Sequence, residues 1–76
     1  MVMVSEEDLS VAAMHRICKK AGAERVSESA AREMANVLEE IGVKIGREAL
    51  DFAIHAGRRA VIGRDVKIAE KIIKRR

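Results

Sequence analysis

Proline, tryptophan and tyrosine are absent from this 76-residue chain, and cysteine and phenylalanine occur once each. One cysteine excludes an internal disulfide. One aromatic, Phe52, excludes the base-stacking platform on which single-strand and RNA modules rely. The lack of proline leaves long helices unbroken. No apolar run approaches the ~20 residues needed to cross a bilayer, so no membrane partner is expected. Met1-Val2-Met3-Val4 leads directly into Ser5-Glu6-Glu7-Asp8 rather than into a signal-peptide pattern. The expected setting is therefore reducing and intracellular, the cytoplasm.

Catalytic chemistry is equally sparse. His15 and Cys18 stand three apart, half of a zinc site, but no second His/Cys pair completes it. With two histidines, one cysteine and no glycine-rich phosphate loop, no nucleophile, base and oxyanion set can be assembled. A non-enzyme without metal or cofactor is expected, with Cys18 as a small buried side chain.

What is abundant is charge, at 36% of residues, set among alanine and aliphatic side chains suited to an all-α fold. Residues 1–51 hold 7 Lys/Arg and 10 Asp/Glu, a net −3, whereas residues 52–76 hold 8 and 2, a net +6. A basic end of this density calls for a polyanion. With stacking excluded, duplex DNA held by its phosphates is the expected partner.

Glycines divide the chain into three helical segments. The first is expected to begin near Ser5, where Ser5-Glu6-Glu7-Asp8 resembles a capping box, to carry Leu9, Ala13 and Ile17 on one face, and to stop at Ala21-Gly22. Ser27 is the expected N-cap of a long second helix over about 28 residues, from Glu28 to His55. Glu28/Arg32 and Glu40/Lys44 form acid-then-base pairs four apart on it. A short third helix is expected from Arg64 to about Lys74, with Val66, Ala69 and Ile73 inward.

The second helix would span ~42 Å, against ~30 Å for a compact globule of this length. It must overhang its own core. Its apolar stripe, Met34, Leu38, Ile41, Ile45, Ala49, Phe52 and Ala56, then needs a cover, and a second chain is the simplest one. Gly42 and Gly46 each cost ~1 kcal/mol relative to alanine inside a helix, and a tight crossing by another helix would offset that.

Three motifs in order, Ala21-Gly22-Ala23-Glu24-Arg25-Val26-Ser27, Leu38-Glu39-Glu40-Ile41-Gly42, and His55-Ala56-Gly57-Arg58-Arg59 followed by Asp65, closely resemble the archaeal histones over roughly residues 12–76. The resemblance implies the histone fold across residues 9–76, with residues 1–8 a short acidic extension or the start of the first helix. It implies an intertwined head-to-tail dimer whose core includes Leu38, Ile41, Gly42 and Ile45. It implies a chromosome-associated protein that binds, bends and wraps double-stranded DNA with little sequence preference. DNA-binding positions carried over are Arg16, Lys19, Arg25, Ser27, Arg58 and Arg59, with Arg25 reaching the minor groove and Arg58 also pairing with Asp65 to fix the second connection. Phe52, His55 and Asp65 match the contact that joins dimers into tetramers or longer rods; a heterodimer with related histones is a further option.

Two positions depart from that pattern. Ala60 replaces a usual threonine that steadies the minor-groove arginine, and Ile62 replaces a lysine or similar polar residue. They motivate alternatives: a histone-fold protein-interaction subunit, or a regulator that caps growing rods, each with weakened DNA contacts.

Overall fold

The computed structural model describes residues 9–75, which form three helices: α1 (Val11–Lys20), α2 (Glu28–His55) and α3 (Gly63–Lys74). No strand occurs among the described residues. The helix order is short, long, short, as the sequence predicts. None of these helices is long and apolar enough to cross a membrane.

Local chemistry sets each boundary. α1 starts later than expected: Ser10, in extended backbone, accepts a hydrogen bond from the Ala13 N–H at 3.1 Å, and Leu9 lies outside the helix. The alternative cap at Ser5, like the acidic run to Asp8, lies outside the described residues. For α2, the Ser27 hydroxyl accepts from the Ala30 N–H at 3.1 Å while its carbonyl accepts from Ala31, the N-cap arrangement that satisfies otherwise orphaned donors.

Both connections begin on a left-handed glycine. Gly22 (φ 109°) follows α1 and Gly57 (φ 75°) follows α2. In each case the glycine N–H reaches back to the second-last helical carbonyl (Gly22 to Lys19, 3.0 Å; Gly57 to Ile54, 2.9 Å). The next N–H reaches one residue further back (Ala23 to Cys18, 3.2 Å; Arg58 to Ala53, 2.9 Å). These are Schellman stops, and only glycine adopts the required φ without strain. Gly22 is accordingly a helix stop first.

The chain divides into two compact units, residues 1–40 and 41–76. In the first, Met14 of α1 packs against Ala31 and Ala35 of α2, with Leu9, Val11, Ala13, Val26, Met34 and Leu38 around them. Ile17, expected inward, is 43% exposed. In the second, Ala49 and Ala53 of α2 and Asp65 and Ala69 of α3 are buried, while Ile72 and Ile73 are half-buried. Val66, expected inward, is 42% exposed because burial of Asp65 rotates the inward face of α3 toward Asp65, Ala69 and Ile72.

The inner stripe of α2 is therefore narrower in side-chain size than the sequence suggests. Ala31, Ala35, Gly42, Ala49 and Ala53 fall within ~40° of arc on the helix. Small side chains let a neighbouring helix approach closely, so alanines take the buried centre while Met34, Leu38, Ile45 and Phe52 flank it half-buried. Midway along the stripe, Gly42 and Gly46 are exposed, and a Cβ at either would meet nothing within 4 Å. Ile41 is 41% exposed beside them, and Val37, Leu50 and Ile54 are also open. Glu28 and Arg32 pair at 3.3 Å, whereas Glu40 and Lys44 form no ion pair among the described residues.

Candidate nucleic-acid interface

The first connection carries Arg25 two residues ahead of the Ser27 cap. The backbone between the Gly22 stop and the head of α2 is short, so Arg25 is held beside the amino end of a 28-residue helix, where free N–H groups and the helix dipole favour an anion. Arg25 is exposed and has no hydrogen-bond or ion-pair partner among the described residues. Arg25 and Ser27 line a shallow concavity with Cys18, Ala23, Val26 and Ala30. Cys18 is half-buried there. The Ser27 hydroxyl also lies 3.2 Å from that of Ser29.

Arg16 and Lys19 are exposed on α1. Lys19 stands in the last turn, where a cation also suits the negative helix end.

The second connection is organised by one ion pair. The Arg58 guanidinium donates to both carboxylate oxygens of Asp65, at 2.8 and 2.9 Å, and to the Ala60 carbonyl at 3.0 Å. The Ile62 N–H donates to Asp65 Oδ2 at 2.9 Å, while the Asp65 N–H returns to the Ile62 carbonyl at 3.0 Å. That is half of a capping box, since the Ile62 side chain accepts nothing. Hydrogen bonds from Arg58 first and from the Ile62 backbone second lower the Asp65 pKa from 3.8 to about 2. The same bond raises the pKa of Arg58. Arg58 thus clamps the connection, with one side of its guanidinium left for a further acceptor.

Asp65 is 2% exposed and three hydrogen bonds converge on its carboxylate, so its first duty lies within its own chain. His55 is exposed at the end of α2, where its Nδ1–H donates to the Asp51 carbonyl at 2.8 Å, and Phe52 is half-buried one turn earlier. Arg59 is exposed and free of ion pairs among the described residues. The departures also surface: Ala60 is exposed, and Val61 and Ile62 are 42% and 41% exposed. Sequence reasoning from spacing alone does not find the Arg58–Asp65 clamp, whose partners are seven apart across a turn; only the resemblance points to it. No group of three or more His, Cys, Asp or Glu that could hold a metal occurs among the described residues.

The family described as "Histone-like transcription factor (CBF/NF-Y) and archaeal histone" matches residues 7–69. The chain belongs to this family. It is a histone-fold, DNA-binding chromosomal protein and not an enzyme. It is similar to one of the subunits of the archaeal histone HAN1 of Thermococcus zilligii, at 48% identity over 64 residues covering 84% of this chain and 96% of the relative. It is also similar to probable archaeal histone 3 of Methanocaldococcus jannaschii, at 52% identity over 62 residues covering 82% and 92% respectively.

Proposed function

We propose that the chain packages chromosomal DNA as a homodimer that binds, bends and wraps duplex with little sequence preference. The observation that carries this reading is Arg25, exposed and unpartnered among the described residues, beside the capped amino end of α2. A guanidinium in that place contacts a narrow minor groove by its width and potential rather than by base identity, with the helix end taking an adjacent phosphate. Ser27, Arg58, Arg59, Arg16 and Lys19 add backbone contacts, Arg58 through the part of its guanidinium that Asp65 and Ala60 leave open.

The dimer is crossed at the bare midpoint of the α2 stripe, with Leu38, Ile41, Gly42 and Ile45 facing their copies. Phe52 and His55 join dimer to dimer into tetramers or longer rods, with Asp65 supporting that contact from its buried position. Related histones are alternative partners in the dimer.

A second reading, a protein-interaction module or rod-capping regulator with weakened DNA contacts, is favoured by the exposed apolar run Ala60-Val61-Ile62. Purified alone, an interaction module aggregates or stays unfolded until its partner is added, whereas the packaging protein is a soluble homodimer. A capping regulator gives dimers on DNA but no ladder of larger cross-linked species.

The test is a duplex band-shift titration at two salt concentrations, with Arg25→Ala alongside. Packaging predicts an affinity that falls with salt with a log–log slope of several units. It also predicts that Arg25→Ala weakens binding alike on unrelated sequences and makes the slope shallower by about one. A measurable affinity with a flat salt response overturns it.

A further inference from the structure

The outer faces of α2 and α3 differ in charge pattern. On α2 the exposed charged residues mix both signs: Glu28, Arg32, Glu33, Glu40, Lys44, Arg47 and Asp51. That is what a solvated helix face ordinarily does. On α3, the inward pole is Asp65, Ala69 and Ile72. Arg64, Lys67, Lys71, Lys74 and Arg75 occupy about 100° of arc on the opposite pole, spread over about 16 Å along the axis. All five are exposed, and no acidic residue interrupts the row.

The one acid on the exposed flank, Glu70, bonds Lys74 at 3.1 Å. Its pKa is lowered by that bond first, then by the charges of Lys74, Lys67 and Lys71. No ion pair neutralises Arg64, Lys67 or Lys71 among the described residues. Helix stability accounts for only part of the row. Lys71 and Lys74 stand in the last turn, where cations suit the negative helix end, but Arg64 and Lys67 gain nothing from it. Like charges three and four apart disfavour a helix, and Arg64 stands in the first turn, at the positive end of the dipole. A ligand supplying a matching row of negative charge does account for it.

Duplex DNA presents about one charge every 1.7 Å of its axis, whereas the ridge has no aromatic side chain on which an unpaired base could stack. Lys71, Lys74 and Arg75 also lie about 12 to 18 Å along the axis from the start of α3 at Gly63, well past the tip of the second connection. We propose that the outer ridge of α3 is a second phosphate-binding face, extending beyond the second connection, that holds a second duplex segment and so bridges two DNAs. The proposal rests on the packaging reading for its first duplex.

The test tethers one duplex to beads, saturates it with protein, and measures capture of a second, fluorescent duplex. In parallel, single-duplex affinity is read by band shift. Lys67→Gln/Lys71→Gln/Lys74→Gln should keep single-duplex affinity within about threefold, lower capture at least tenfold, and make the salt slope of capture shallower by about 2.7, at 0.9 per lost contact. The triple Lys→Arg variant should capture as the wild type does. Lys67→Gln/Lys71→Gln, which leaves the Glu70–Lys74 pair in place, should lose about 1.8 from the slope should the triple variant fail to fold by circular dichroism.

Capture unchanged in the glutamine variants overturns the proposal, including in favour of an acidic protein as the ligand of the ridge. So does a wild type that shifts single duplex but captures nothing, or a triple variant that loses both activities in proportion, which makes the ridge part of the first site. A wild type that shifts no duplex at all overturns the packaging reading along with it.

Discussion

Gly42→Leu separates a lone chain from a crossed pair by the sign of one stability change. Within a single chain a Cβ at Gly42 meets nothing within 4 Å. Replacing a mid-helix glycine by leucine then gains close to the full propensity difference, about 0.8 kcal/mol. For a domain of this size that raises the melting temperature by about 3–6 °C. If a second α2 crosses at the bare midpoint, each copy instead forces a leucine into a helix–helix contact. Overpacking costs about 1–3 kcal/mol, leaving a net loss of about 0–2 kcal/mol per chain and, with two copies at one crossing, up to about 4 kcal/mol per dimer. We expect a lower melting temperature by circular dichroism and a weaker association constant by sedimentation equilibrium. A melting temperature that rises, does not vary with protein concentration, and accompanies an unchanged sedimenting mass would refute the crossing.

Three more outcomes follow from the geometry. Ser27→Ala removes the hydroxyl that accepts from Ala30 and should destabilise by about 1 kcal/mol in thermal melts, with Ser27→Gly costing only a few tenths. Ile62→Ser should complete the half-built capping box on α3, adding about 0.5–1 kcal/mol, and a chemical denaturation midpoint that stays put or falls would argue that Ile62 is covered by a partner. Asp65 has a folded pKa near 2 against an ordinary 3.8, so its clamp contributes fully above about pH 4 and is lost as pH falls through 2. An acid titration of Asp65→Asn should therefore lack the part of the wild-type pH dependence that lies between those values. Glu70→Gln serves as the exposed control, since the Glu70 shift has the same sign.

Helix boundaries are legible in the sequence wherever a single residue dominates the end. Ser27 and Gly57 fix α2, and Gly22 fixes the end of α1, because a hydroxyl cap and a positive φ have few substitutes. The start of α1 is not legible in this way: the acidic run after Ser5 resembles a capping box, whereas Ser10, nearer the packed Met14, accepts the Ala13 N–H. Large aliphatics suggest the phase of the α2 stripe, whereas its buried centre consists of alanines. Hydropathy weights a side chain by size, and packing here rewards lack of it. The family resemblance gives Asp65 two duties, a pair with Arg58 and a dimer–dimer contact, and the pair with Arg58 is the one formed within the chain. The charge of the C-terminal third is plain in the sequence, but its collection into one outward row on α3 depends on the helix phase that burial of Asp65 sets.

Among the described residues, a buried hydrophobic set of one methionine and five alanines gives each copy little hydrophobic stabilisation of its own. If the bare stretch of α2 is where a twin settles, folding and assembly become a single bimolecular event, and the folded fraction rises and falls with the amount of protein made. Copies produced in excess of their mates would then be short-lived substrates for proteolysis, so abundance of the chain would be trimmed to match pairing without any dedicated regulator.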